Sequence, residues 1–302
     1  KEICHVYMWS VDISIIQIQA GFIKALRRVM AHGTLYVTIV ANIYTRQIMT
    51  KNYLRPFIKF PKEKKQITKW ILDNFQENYQ ELSYCEPFCG GSPVYLNKDP
   101  SFEELISDVD CQLINIYKAL RDEPKEFIGK IKRTKYTELS FNKAYRAAQS
   151  RIPDYVENGI NEYILRKMSR GGLKKTFFKS TEEEWQESIK DLMPISKRIK
   201  DTNIICKCFK EIFKIWDEEN TLIYLDPPEL PGKDEPEPPN MSIDDHVALL
   251  NMVKWTRGKI IIKGHPCPLY NKQLSGWRCV KLAIASSKKV DVLWMNYNKT
   301  AI

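Results

Sequence analysis

The chain has 302 residues, enough for one large α/β domain with an insertion or for two domains. Its 43% hydrophobic content is ordinary for a soluble globular protein with a core, and no apolar run approaches the length of a membrane span. A formal charge of +10 suits a polyanionic partner, most simply nucleic acid, and equally a soluble protein that is merely basic. Eight cysteines lie scattered without a framework, and none of the four histidines is spaced to complete a zinc site. They read as reduced core thiols in a cytoplasmic protein, with no metal expected.

Residues 1–48 contain an apolar stretch, Ile13–Ile18, a basic amphipathic pattern over Gly21–His32 and a strand-like run, Thr34–Tyr44. They read as an extension packed on the main domain, or as an arm for nucleic acid or a partner. No small-residue cleavage site follows a single apolar core, so a signal peptide is not expected. A basic loop, PFIKFPKEKK (Pro56–Lys65), leads into a helical pattern over Gln66–Phe75, with Ile67, Trp70, Ile71 and Phe75 on one face.

Leu82–Cys85 reads as the first strand and runs into Glu86-Pro87-Phe88-Cys89-Gly90-Gly91-Ser92. A strand entering a glycine loop and then a helix is a common nucleotide-site construction, because glycines let the backbone approach a ligand and loop N–H groups face it. A plain turn uses the same residues. The second strand, Leu105–Asp110, brings Asp108 to its end. An acid there accepts ribose hydroxyls in dinucleotide folds, or it caps the helix predicted over Leu113–Leu120. Residues 121–200 are polar, basic and mostly helical in pattern. In their middle, Arg166, Lys167, Arg170, Lys174 and Lys175 surround Gly171-Gly172, a segment suited to phosphate contact or to a solvated surface.

Strand patterns return at Asn203–Cys206, in the run TLIYLDPPE (Thr221–Glu229), and at Lys259–Lys263, Cys279–Leu282 and Val290–Tyr297, with helices at Cys208–Trp216 and Asp244–Trp255. Alternation on both sides of a helical insertion predicts one doubly wound, mostly parallel α/β domain. The fourth strand ends in Asp226-Pro227-Pro228-Glu229. Two prolines fix φ twice and stiffen the loop. A carboxylate beside a stiffly held carbonyl can accept both hydrogens of one amino group. Pro231–Asn240 is too rich in Pro and charge to be an element and occupies a natural lid position.

Taken in order, PFIKFPKEKK, EPFCGGSPVYLN (Glu86–Asn97), ISDVDCQLINIYKAL (Ile106–Leu120), LIYLDPPEL, PLYNKQLSGW (Pro268–Trp277) and VLWMNY (Val292–Tyr297) resemble the Dam-like DNA adenine N6-methyltransferases, particularly phage and prophage members. The resemblance implies a Rossmann-like class I S-adenosylmethionine-dependent fold. It implies a catalytic domain of residues 49–120 and 201–302 and an inserted helical target-recognition subdomain of residues 121–200. It implies S-adenosylmethionine as donor and a flipped adenine in double-stranded DNA as acceptor, and it points to restriction-modification relatives. Carried over by position, Asp108 holds the donor's ribose, and Glu86, Phe88, Gly90 and Gly91 form its loop. Phe60 and Lys64 stand where the opening loop's donor-contacting residues stand. Asp226 and the Pro227 carbonyl receive the adenine amine, with Pro228 and Glu229 completing the catalytic loop. Separately, on the basic charge of their own segment, Arg166, Lys167, Arg170, Lys174 and Lys175 are expected to contact DNA rather than only solvent.

The chain departs from the family pattern at Pro61-Lys62-Glu63, Ser92-Pro93, Lys263-Gly264-His265 and Glu229, where a base-stacking aromatic is expected. These departures leave a second reading: a methyltransferase-fold homologue that binds DNA or a partner with impaired catalysis.

Overall fold

The apolar runs become strands of one sheet. In a computed structural model, which describes residues 53–58, 65–150, 154–230, 241–283 and 290–298, these strands are β1 (Ser83–Glu86), β2 (Glu103–Asp108), β3 (Asn203–Cys206), β4 (Thr221–Leu225), β5 (Lys259–Gly264), β6 (Arg278–Ala283) and β7 (Val290–Met295). Their order is β3-β2-β1-β4-β5-β7-β6. The first five are mutually parallel, while β7 runs antiparallel to β5 and β6 antiparallel to β7. This is the expected doubly wound, mostly parallel sheet. Its order reverses between β1 and β4, and ligands of such sheets collect beyond the strand ends at that reversal.

Residues 53–302 form one compact unit. Residues 1–52, and with them the expected N-terminal extension, lie outside the described residues.

The core divides by strand alternation. Tyr84, Ile106, Leu222, Tyr224 and Ile261 face one layer, and Cys85, Leu105, Ile223, Ile260 and Ile262 face the other. On the second side lie α9 (Phe209–Trp216), α10 (Ile243–Trp255) and α11 (Pro268–Gln273). On the first lie α1 (Lys65–Leu72), the short α2 (Pro93–Asn97) and α3 (Cys111–Asp122).

The segment between α3 and β3 folds into α4 (Pro124–Arg133), α5 (Glu138–Gln149), α6 (Tyr155–Met168), α7 (Glu182–Ile189) and α8 (Leu192–Arg198). These helices do not stand apart. Phe127, Ile131, Tyr163, Trp185 and Leu192 share one buried cluster with Tyr117 and Leu120 of α3.

Gly159 lets α6 press against α3. A Cβ there would stand 2.7 Å from the Asn115 carbonyl oxygen and 2.8 Å from Ala119 Cβ. Alanine has the higher helix propensity, worth up to about 1 kcal/mol, yet the clash involves backbone that cannot yield without moving a helix. Gly159→Ala is expected to destabilise by about 1–3 kcal/mol, read as a lower denaturant midpoint at unchanged slope.

A buried charge cluster ties α2, β2 and α8 together. The Lys98 ammonium donates to Glu104, and Arg198 donates to the same carboxylate at 2.5 and 2.9 Å. Arg198 also lies 4.1 Å over the Tyr95 ring and Lys98 4.3 Å over the Tyr84 ring.

One expectation is corrected. Cys111 and Cys206, 95 positions apart in the sequence, are joined in a disulfide with Cα atoms 5.2 Å apart, so the cysteines are not all reduced. The register explains the meeting. Cys206 pairs with Asp108 across β3 and β2, and Cys111 opens the helix just beyond Asp108. Cys85, Cys89, Cys208, Cys267 and Cys279 are free thiols.

Candidate active site

The loop after β1 is tied to the end of β2. Gly90 has φ 45°, a left-handed conformation that glycine adopts without penalty. Its N–H donates to Asp108 Oδ2 at 3.1 Å, and its carbonyl accepts the Tyr117 hydroxyl at 2.9 Å. Asp108 Oδ1 accepts the Asp110 N–H at 3.0 Å. Burial raises the Asp108 pKa, against the two N–H groups that lower it. The helix cap is Asp110, whose side chain accepts from the Gln112 and Leu113 N–H groups. Asp108 is therefore not the cap, and its carboxylate is held against the glycine turn.

Ser92 stands where a further glycine was expected, and it adopts a glycine-like φ of 48°. Its hydroxyl lies 3.2 Å from Glu86 Oε1 and 3.0 Å from the Cys89 carbonyl oxygen, and its one hydrogen can serve either. Pro93 follows in the first turn of α2, where its missing N–H costs nothing.

Glu86, at the end of β1, is 1% exposed and also accepts the Tyr84 hydroxyl at 2.8 Å. Burial pushes its pKa up to about 8, the hydrogen bonds from Tyr84 and Ser92 pull it down, and the charge of Asp226 adds to the rise. Because the folded value lies above the ordinary 4.5, this group's contribution is fully present below pH 4.5 and is lost as pH rises through about 8. Glu86→Gln keeps the acceptor oxygen without the charge. It is expected to raise stability at pH 9 by a few kcal/mol and to flatten the pH dependence across that window, as read by urea unfolding at several pH values.

Asp226 follows β4, whose five residues are all buried. Leu225 pairs with Ile262 on β5, so the next residues along the two strands, Asp226 and Lys263, come side by side. The Lys263 ammonium lies 3.0 Å from Oδ1 and 3.2 Å from Oδ2 of Asp226. The Tyr224 hydroxyl donates to Oδ2 at 3.3 Å. Farther along the loop, Glu229 Oε1 lies 3.3 Å from His265 Nε2, and His265 Nδ1 lies 2.9 Å from the Val290 carbonyl oxygen.

These groups line a cavity of about 200 Å³ that includes Asp226, Pro227, Pro228, Glu229, Lys263 and His265. His246, 1% exposed, also lines it, with Nδ1 2.9 Å from the Tyr270 hydroxyl and Nε2 buried without a hydrogen-bond partner among the described residues. Sequence reasoning noticed Lys263 and His265 only as departures. The signal that could have placed them is the strand register.

Three of the expected site groups therefore sit on neighbouring strands: Asp108 on β2, Glu86 on β1 and Asp226 after β4. Phe88 is half-buried and packs on Phe209, ring centres 5.5 Å apart, and Gly91 is buried in the turn. Phe60, Lys64 and the lid segment 231–240 lie outside the described residues.

The five basic residues divide. Arg166 is 6% exposed and Lys167 9%. This corrects the picture of both as surface groups. Arg166 donates to Asp110 Oδ2 at 2.6 Å and Glu162 Oε1 at 2.7 Å. Lys174 donates to Glu162 at 2.8 Å and Gln112 at 3.0 Å. Both fasten the helical segment to the first turn of α3. Arg170 and Lys175 are exposed.

The family model for D12 class N6 adenine-specific DNA methyltransferases matches residues 63–233, more than half of the chain. The chain belongs to this family. It is 25% identical over 191 residues to the type II methyltransferase M.CviBI of Paramecium bursaria Chlorella virus NC1A, covering 60% of this chain and 72% of that one. It is 25% identical over 197 residues to a DNA adenine methylase of Vibrio cholerae, covering 56% of this chain and 67% of that one. A segment of 75 residues is 33% identical to the type II methyltransferase M1.LlaDCHI of Lactococcus lactis, covering 25% of each chain. Among solved structures, the rRNA methyltransferase aviRa of Streptomyces viridochromogenes aligns over 78% of this chain and 86% of its own, with a TM-score of 0.38 and 10% identity.

The expected fold and the expected family and enzyme class hold: this is a D12 class adenine-specific DNA methyltransferase on a doubly wound sheet. No described helix is long and apolar enough to cross a membrane.

Proposed function

We propose that this D12 class protein transfers a methyl group from S-adenosylmethionine to N6 of an adenine drawn out of double-stranded DNA, with Asp226 and the Pro227 carbonyl receiving the amine. The observation that carries the reading is the placement of the Asp108–Gly90 clasp and of Asp226 at the carboxyl ends of β2, β1 and β4, on both sides of the strand-order reversal.

The residues fit an adenosine-bearing donor. Asp108 keeps further lone pairs for ribose hydroxyls beyond its two backbone bonds. The next side chain, Val109, is 65% exposed, an apolar surface beside the acid of the kind a purine face covers. Phe88 with Phe209 provides a second apolar wall. When bound, the sulfonium supplies an activated methyl group.

The chain's own residues position and discharge the acceptor. Asp226 and the stiff Pro227 carbonyl each accept one amino hydrogen, so the nitrogen lone pair points away from them and towards the donor side. As the nitrogen becomes cationic, the Asp226 carboxylate stabilises it and takes up the proton it sheds. Pre-set acceptors of this kind need no reorganisation in the transition state. Extruding the base costs a few kcal/mol. An aromatic partner would return roughly 1–3 kcal/mol of that by stacking, and Glu229 has no π-face to offer. The ring in the cavity that solvent reaches is His265, 26% exposed. Exposed Arg170 and Lys175 serve phosphate contact, while Arg166, Lys167 and Lys174 hold the segment that presents them.

The test is incubation of purified protein with unmethylated duplex DNA and methyl-labelled S-adenosylmethionine, followed by digestion to nucleosides. Label in N6-methyldeoxyadenosine is the expected result. DNA binding without transfer would overturn the reading in favour of a binding protein.

A further inference from the structure

Lys263 is the group nearest the proposed amine acceptor. Its ammonium touches both Asp226 oxygens, at 3.0 and 3.2 Å, and its side chain is only 21% exposed. The register of β4 and β5 dictates this placement. Nothing local forces a lysine there. The strand before it is the apolar run Ile260-Ile261-Ile262.

We infer that Lys263 determines specificity at the base pocket: its ammonium occupies the seat of the acceptor amino group on Asp226, so a base gains the site only by displacing it. This rests on the reading that Asp226 receives the substrate amine. The two amines have the same needs. Each presents N–H hydrogens to a carboxylate, and the ammonium together with the Tyr224 hydroxyl already draws on both Asp226 oxygens, so an incoming amine competes with them.

The ammonium stays charged. Burial alone would lower its pKa, but the charge of Asp226, the hydrogen bonds to it and the charges of Asp291 and Glu229 together raise it. The protonated nitrogen has no lone pair, so it competes for the seat without accepting the methyl group itself. A weakly held amine is turned away. A base that brings stacking against His265 and further hydrogen bonds within the cavity can displace the lysine. The lysine thereby raises the threshold for an acceptor.

Lys263→Met removes the charge at similar length, and Lys263→Arg keeps it. The first measurement is deoxyadenosine binding by calorimetry, with no donor present. Met is expected to tighten it by about tenfold, the size of one charge-assisted hydrogen bond, and Arg to leave it near the wild-type value. The second is methyl transfer to duplex DNA, where Met is expected to lower KM with donor affinity unchanged. Thermal melting confirms that each variant is folded, and Lys263→Ser serves if Met does not fold. Equal or weaker deoxyadenosine binding in the charge-free variant would overturn the inference. If wild type transfers no methyl group, the proposed function fails separately, and the binding measurement still decides the role of Lys263.

Discussion

Asp226→Ala is expected to lower methyl transfer by roughly a hundred- to a thousandfold, the cost of removing a pre-set electrostatic partner of the reacting atom. The carboxylate is the one charged acceptor on the catalytic loop that also has a stiff carbonyl beside it. Its side chain is 37% exposed, so the loss should act on the reaction far more than on folding. Stability still has a term. The Lys263 ammonium loses the carboxylate that holds it, and a partly exposed pair of this kind contributes about 0–1 kcal/mol. Asp226→Asn separates the two roles: it retains an acceptor but cannot neutralise the developing cation, so its rate should fall nearly as far. Single-turnover kinetics with saturating donor reads the chemical step directly. A fall in activity matched by unfolding would assign Asp226 a structural role.

The largest effect on stability is expected at Glu104. It is the anion between two buried cations, Lys98 and Arg198, whose side chains are 0% and 10% exposed. Removing one partner of a buried pair leaves charge without compensation, which costs about 3–5 kcal/mol, so Glu104→Ala should approach the limit of what a domain of ordinary stability tolerates. The pH dependence has a definite sign. Burial pushes the Glu104 carboxyl up, but Arg198 and Lys98 outweigh it and hold the pKa below the ordinary 4.5. Its stabilisation is therefore present above that value and is lost as pH falls through the lowered one. This is opposite to Glu86, and the two variants should shift the pH–stability curve in different ranges. Urea unfolding of Glu104→Ala and Glu86→Gln at pH 4, 7 and 9 distinguishes them.

Legibility followed locality. The strand Asn203–Cys206 was readable to the residue and the apolar body of the next, Leu222–Leu225, within one residue, because short apolar runs between polar stops have few other uses. Asp108, the glycine turn and Asp226 were readable because each closes such a run. What was hidden depended on partners distant in the chain. The lysine on Asp226 is 37 residues away, and Arg166 reaches Asp110 across 56. A basic run therefore read as a DNA-facing surface when its first two members are interior. The disulfide was hidden for the same reason. The Asp108-Val109-Asp110 triplet shows the limit in miniature: either acid could cap the helix, and only the pull of the Gly90 N–H on Asp108 separates the roles.

The central claim is that one cleft beyond β2, β1 and β4 holds donor and acceptor together. A crystal structure of the protein with S-adenosylhomocysteine tests it most directly. The ribose hydroxyls should lie within hydrogen-bond distance of Asp108, the adenine against Val109, and the sulfur should face Asp226 across an open path. A ligand bound elsewhere, or side chains packed solidly between Asp108 and Asp226, would contradict the account.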